Sequence, residues 1–256
     1  MCPAAGMDTG TSMEAAASYE KLSREQLLEI LSHSSQAAPA NLYSKDLTGL
    51  DLSGVNFKGA NLTASLMNQA NLSNANLSNC NLTVSFAEGA KLSHADLRGA
   101  MMFSMQLKGA DLTGANLAGA RFIGDLRGAN LQGANMSKMD GSVDTKNQSM
   151  GLMRASIVSA NLQGADLSGA DFSKADFSFS TLKDVNLTGA NLFNADLSGA
   201  DFSSANLTRA NLREAKIIDT DFTGANLTGT DFTGAQFRGV RGLDKAHTEN
   251  TKGLPR

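Results

Sequence analysis

The chain has 256 residues, with 25 Gly, 3 Pro, 2 Tyr and no Trp; its long runs of Ala, Asn, Asp, Ser and Leu show the bias of a short repeated unit, not of an ordinary globular enzyme. A formal net charge of -3 excludes both a strongly basic nucleic-acid-binding surface and a disordered acidic polyelectrolyte. Cys2 and Cys80 are the only cysteines, which excludes a disulfide framework or a cysteine metal site and suits a reducing compartment.

Residues 1–18 are expected to be disordered. The first 40 residues lack the basic region and continuous apolar run of an export signal, and no stretch approaches the roughly 18 apolar residues of a membrane span. A cytoplasmic protein with no membrane contact is therefore expected. Residues 19–44 should form a capping helix and a linker: Leu22, Leu27, Leu28, Ile30 and Leu31 recur at approximately helical spacing, and Ser23 is placed to N-cap Arg24-Glu25-Gln26. Such a helix would cover the apolar lumen and open edge of the structure that follows.

From Lys45 onward one phrase recurs, as in Ala70-Asn71-Leu72-Ser73-Asn74, Ala110-Asp111-Leu112-Thr113-Gly114 and Ala195-Asp196-Leu197-Ser198-Gly199. Its central residue is apolar at every fifth position from Leu47 to Phe122, then at Leu126, Leu131 and Met136, and again at every fifth position from Leu152 to Phe237, with Ala87 the one weak centre. A helix would scatter residues five apart around its axis. An extended segment instead turns Ala70 and Leu72 to one side and Asn71 to the other. Ser or Thr and then Gly or Asn suit a turn, so each coil closes and coils stack through backbone hydrogen bonds about 4.8 Å apart.

These residues resemble the pentapeptide-repeat family, whose pattern of Ala, Asp or Asn, Leu or Phe and two variable positions matches roughly Lys45 to Val240. The resemblance implies an all-β, right-handed quadrilateral β-helix with four pentapeptides per coil. The 37 centres then make about nine coils, a rod about 40 to 45 Å long. Residues 45–137 form a first repeat segment and 151–240 a second. The interval of four between Phe122 and Leu126 predicts a local kink near Gly124 and Asp125. Residues 138–150 read as a loop projecting from the rod, and 241–256 as a tail without an amphipathic helix long enough for a strong dimer, so a monomer or weak dimer is expected.

No chemistry can be assembled. His33, His94 and His247 are scattered, Cys80 takes an inward, alanine-type position, and the many Asp residues alternate with Asn at the outward position as solvated ladder residues. No catalytic residue, metal or cofactor is expected. The expected function is a non-enzymatic scaffold that binds an unidentified protein through its outer faces. The candidate contacts are outward apolar Leu66, Phe86, Met101 and Phe103, and Asp140, Asp144, Lys146 and Asn147 of the loop. Resemblance to the quinolone-resistance and gyrase-inhibiting members of the family implies an alternative, a DNA mimic that modulates or protects DNA gyrase or another topoisomerase, without contacting nucleic acid itself. Asp176, Asp196 and Asp219 on one face and Asp201 and Asp221 on the next would form its acidic ridge, with Asp184 beside the latter pair.

Overall fold

The computed structural model describes residues 19–142 and 154–255. The five-residue unit forms as its composition dictates. In the unit 110–114, Ala110 and Leu112 are buried, and the Asp111 carboxylate accepts from the Thr113 amide at 3.1 Å and its hydroxyl at 2.6 Å. Gly114 turns the corner at φ 63°, where a side chain is disfavoured, and the Ala115 amide donates to the Leu112 carbonyl at 2.9 Å. The outward Asp or Asn thus stabilises its own turn, as Asn61, Asp46 and Asp221 also do. These residues are more than solvated ladder rungs.

Parallel bridges join residues 20 apart, so four pentapeptides complete each coil and stack in four columns. Face 1 starts with Asn41, Asn61 and Asn81; face 2 with Asp46, Leu66 and Phe86; face 3 with Asp51, Asn71 and Lys91; face 4 with Asn56, Asn76 and Asp96. The large central side chains, among them Phe57, Phe122, Phe172 and Phe202, fill the tube with no exposed surface. Alanines beside them keep the narrow lumen from being overpacked.

The short element β1 (Glu20–Lys21) lies parallel to β2 (Lys45–Asp46) and adds a rung below face 2. Helix α1 (Arg24–Ser32) follows, with Ser23 and Gln26 forming a reciprocal capping box. It buries Leu27 and Leu31. Arg24 Nε donates to the Asp51 carbonyl at 2.9 Å, and Lys58 Nζ donates to the carbonyls of Leu31 at 2.8 Å and Ser34 at 3.1 Å, tying the helix C-terminus to the first coils. The stack itself begins before Lys45, because Asn41 already bridges Asn61 and Leu42 is fully buried.

Two departures interrupt the 20-residue interval. Strands β3 (Met101–Gln106) and β4 (Arg121–Asp125) run extended across the corner between faces 1 and 2, with a register shift between Phe103 and Gln106. One residue is missing opposite Met105, and a Cβ at Gly124 would collide with the Met105 carbonyl oxygen. Only glycine fits that close approach of two backbones. Higher up, the partners Asp125 and Ser156 are 31 residues apart, as are Asp140 and Asp171.

The chain between these partners is therefore 11 residues longer than a regular coil, and the reading of 138–150 as a projecting loop does not hold at its start. Residues 138–142 belong to the rod: Lys138 turns a corner at φ 55°, Met139 is buried, and Asp140 bridges Arg121 below and Asp171 above. The frame is hidden in the sequence because Gly141 stands where an apolar centre is expected. Leu152, read as the centre that restarts the pattern, lies outside the described residues.

Near the other end, β5 (Lys216–Ile218) pairs with β6 (Gln236–Arg238). The residues read as a separate tail continue the stack. Arg241, His247 and Lys252 bridge Asp221, Asn226 and Asp231, while a 3₁₀ turn at Leu243–Lys245 takes up the extra residue. Leu243, Ala246 and Leu254 pack against the core.

Candidate interaction surface

Outward positions should be polar, and on two faces they are: face 3 has no apolar residue at these positions through the repeats, and face 4 only Ala118. The other two differ. Face 1 presents Tyr43, Met101, Phe103 and Phe193, and face 2 presents Leu66, Phe86, Val158 and Ile218. Val84 stands on the corner between them and Phe179 on the far corner of face 2. The rod is amphipathic around its circumference.

Four of these residues are strongly exposed: Tyr43 at 55%, Val84 at 44%, Met101 at 46% and Phe179 at 68%. Leu66 bridges Phe86 directly above it, and the Arg121 guanidinium carbon sits 4.7 Å from the Phe103 ring centroid, a cation–π contact that partly covers the ring. The extra residues leave face 1 after Ser142 and return at Arg154 just before Ser156 of face 2. The missing residue at Gly124, the apolar Val84 and the residues that flank the insertion, Ser142 and Arg154, thus share one corner. Asp140, read as part of a projecting loop, belongs to the rod: it accepts from the Ser142 hydroxyl at 2.6 Å and pairs with Arg121 at 3.2 Å. Asp144, Lys146 and Asn147 lie outside the described residues.

Tyr43, Val84 and Phe179 were missed in the sequence, although two of them carried a signal. Val84 and Phe179 occupy the fifth position, where positive φ favours Gly or Asn, and they adopt φ 59° and 60°. Such a backbone is unusual for a β-branched or bulky residue.

The proposed acidic residues do come together in columns. Asp176 bridges Asp196 on face 2 and Asp201 bridges Asp221 on face 3, while Asp219 and Asp184 sit on corners at positive φ. Cations match three of them: Arg154 reaches Asp176 at 2.8 Å, Lys216 reaches Asp196 at 3.0 Å, and Arg241 lies 3.4 Å from Asp221. Hydrogen bonds from the Thr223 hydroxyl and amide, then Arg241, hold Asp221 below the ordinary carboxylate range. At Asp196 burial pushes upward, but Ser198 and Lys216 outweigh it and the net shift is downward.

Burial pushes the Cys80 thiol up to about 12, so it stays protonated and unreactive. Among the described residues no group of His, Cys, Asp or Glu is arranged to hold a metal ion, and no helix is long and apolar enough to cross a membrane.

A family model for pentapeptide repeats matches in eight copies, over residues 46–83, 70–104, 106–140, 152–189, 170–209 and 205–241. No curated protein matches the chain significantly. Among solved structures, it is similar to HetL, a pentapeptide-repeat protein involved in heterocyst differentiation regulation in the cyanobacterium Nostoc sp. strain PCC 7120, with 28% identity over 90% of this chain and 98% of that one and a TM-score of 0.34. It is also similar to trypsin-treated QnrB1, a plasmid-mediated fluoroquinolone resistance protein (19% identity, 77% of this chain, 88% of that one, TM-score 0.47), and to Rfr23 of the cyanobacterium Cyanothece 51142 (26%, 49%, 88%, 0.36). With the repeat matched over most of its length and the four-sided ladder formed by those same residues, this chain belongs to the pentapeptide-repeat family.

Proposed function

We propose that the rod is a non-enzymatic, cytoplasmic scaffold that binds a macromolecular partner, a protein, through the side formed by faces 1 and 2. One observation carries this reading: the large outward apolar residues gather on two adjacent faces and leave the other two polar. Apolar area left in water is unfavourable by about 25 cal/mol per Å², and contiguous exposed patches mark contact sites. A free, buried thiol at Cys80 suits a reducing cytosol.

The test is a comparison of partner capture by the wild type, by Val84→Asn with Met101→Gln, and by Thr113→Ala with Thr208→Ala on faces 3 and 4. Capture should be lost in the first variant and kept in the second. Equal capture by all three would remove the assignment of the surface.

Modulation of DNA gyrase by DNA mimicry stands second. It draws on the stacked aspartates of the second half, and it is weakened by the cations beside Asp176, Asp196 and Asp221.

A further inference from the structure

The two ends of face 2 are finished differently. At the bottom, β1 covers the edge of β2: the Leu22 amide donates to the Asp46 carbonyl at 3.0 Å, Leu22 is buried, Glu20 pairs with Lys45, and Lys21 is in register with Asp46. At the top, β6 pairs with β5 below and with nothing above among the described residues. In a regular rung the alanine-type carbonyl accepts from the rung above, and the central and corner amides donate to it. Thus the Ala195 carbonyl accepts from the Lys216 amide at 2.9 Å, while the Leu197 and Gly199 amides donate to the carbonyls of Lys216 at 2.9 Å and Ile218 at 2.7 Å. On β6 the matching groups are the Ala235 carbonyl and the Phe237 and Gly239 amides, and none of them has a partner among the described residues. The chain cannot turn regularly onto this edge. Pro255 stands in the corner column of Glu214 at φ 58° and Gly234 at φ 78°, and proline holds φ near about −65°.

The open groups fix the backbone of an occupant, and the side chains fix its residues. Two acceptors and one donor in this order call for a parallel extended segment of three residues. Its middle residue faces inward above Phe237, which is only partly buried and lies 5.6 Å from the Phe232 ring, so that residue must be apolar. The next residue stands above Arg238, which is exposed, has apolar Ile218 beneath it, and forms no ion pair among the described residues, although Asp219 lies on the adjoining corner. An acidic side chain matches it, as the charges of β1 match those of β2 at the other end. We infer that β6 binds an extended acidic and apolar segment of a partner protein as one further rung. This contact is separate from the side formed by faces 1 and 2.

The experiment measures, by anisotropy, binding of the full chain to three acetylated, fluorescein-labelled octapeptides: alternating Glu and Val, the same peptide with every glutamate nitrogen methylated, and alternating Lys and Val. The wild type should bind the Glu–Val peptide at least about tenfold more tightly than either of the others. Methylation removes the donor that meets the Ala235 carbonyl and keeps every side chain, so equal binding of the methylated peptide overturns strand addition. Arg238→Glu should turn the preference towards Lys–Val, and a preference that it leaves unmoved overturns the acidic occupant. No binding at about 1 mM peptide overturns both. Val84→Asn with Met101→Gln should bind as the wild type does. If that pair abolishes Glu–Val binding, the edge falls while the reading built on faces 1 and 2 stands; failure of the edge alone leaves that reading to its own capture test. Sedimentation should show a monomer, and a dimer that Phe237→Asp disperses would assign the edge to a second copy and overturn the proposal.

Discussion

The Phe172 ring occupies the space that a side chain at Gly141 would need, with a Cβ there colliding with the ring's Cδ1 edge. Between Leu42 and Phe237, Gly141 is the one central position of the described residues without a side chain, and Phe172, also in edge contact with Phe177 at 5.4 Å, fills the lumen for both coils. Gly141→Ala should destabilise by about 1 to 3 kcal/mol through overpacking, and Phe172→Ala by about 3 to 5 kcal/mol through the cavity it leaves. Gly141→Ala combined with Phe172→Ala should be less destabilised than the sum of the two single variants, because the new side chain enters the vacated space. Urea unfolding midpoints of the four proteins test this. Strict additivity would mean the two positions do not share one space.

At the second and third positions of the repeat, one side chain caps a turn and the next fills the tube. Leu112→Ala should cost about 2 to 5 kcal/mol. Asp111→Asn keeps the oxygen that accepts from Thr113 and should change stability by less than about 0.5 kcal/mol. Asp111→Ala removes the acceptor and should cost about 1 kcal/mol. Thermal melting of the three variants checks this ordering, and a harmless Leu112→Ala would reverse the inward and outward assignment.

Joining Ser142 directly to Arg154 restores the regular 20-residue interval between the coils. The deletion should therefore keep the β-type circular dichroism spectrum and lower the melting temperature by no more than a few degrees, since surface insertions contribute little to a stacked core. Extending the deletion back to Lys138 would also remove Met139 and Asp140, and should collapse the spectrum.

The regular coil was legible because its period is local. Alternation over three residues buries Ala110 and Leu112 whatever lies above or below. What escaped notice depends on the neighbouring coil. Gly141 keeps the frame only because Phe172 lies above it, and the tail joins the stack only because Asn226 and Asp231 offer ladder partners to His247 and Lys252. The apolar side was half legible: Leu66 and Phe86 align by counting 20 residues, but the missing residue at Gly124 and the 11 extra ones later shift that count. Relating Val158, Phe179 and Ile218 to the first half therefore required the observed register.

Several ladder carboxylates should make the rod acid-sensitive. Asp46 and Asp221 are held below the ordinary carboxylate range by hydrogen bonds from the threonine two residues on, first its hydroxyl and then its amide. Their folded pKa lies below the unfolded value of about 3.9. The stability they contribute is therefore fully present above that value and is lost as pH falls through the folded pKa. Melting temperature should fall below about pH 4, and Asp46→Asn with Asp221→Asn should flatten that fall by lowering the neutral plateau towards the acid value, because the charged form's contribution is lost at every pH. A wild-type profile that stays level from pH 6 to pH 3 would contradict this.

The acidic columns of the second half decide the gyrase alternative. A phosphate mimic must present negative charge that the enzyme's basic groove can reach, and its effect must weaken as added salt screens those contacts. Here Arg154, Lys216 and Arg241 stand against Asp176, Asp196 and Asp221, so the wild type should neither inhibit DNA supercoiling by gyrase strongly nor protect the enzyme from a quinolone. Replacing Asp176, Asp196, Asp201 and Asp221 by Asn keeps every oxygen that accepts from the turn amides, so the fold should survive. The three cations then stand unopposed and the local charge turns positive. A weak residual effect on gyrase should vanish in this variant. Strong, salt-sensitive gyrase activity in the wild type, abolished by the four substitutions, would instead establish DNA mimicry and displace the reading built on faces 1 and 2.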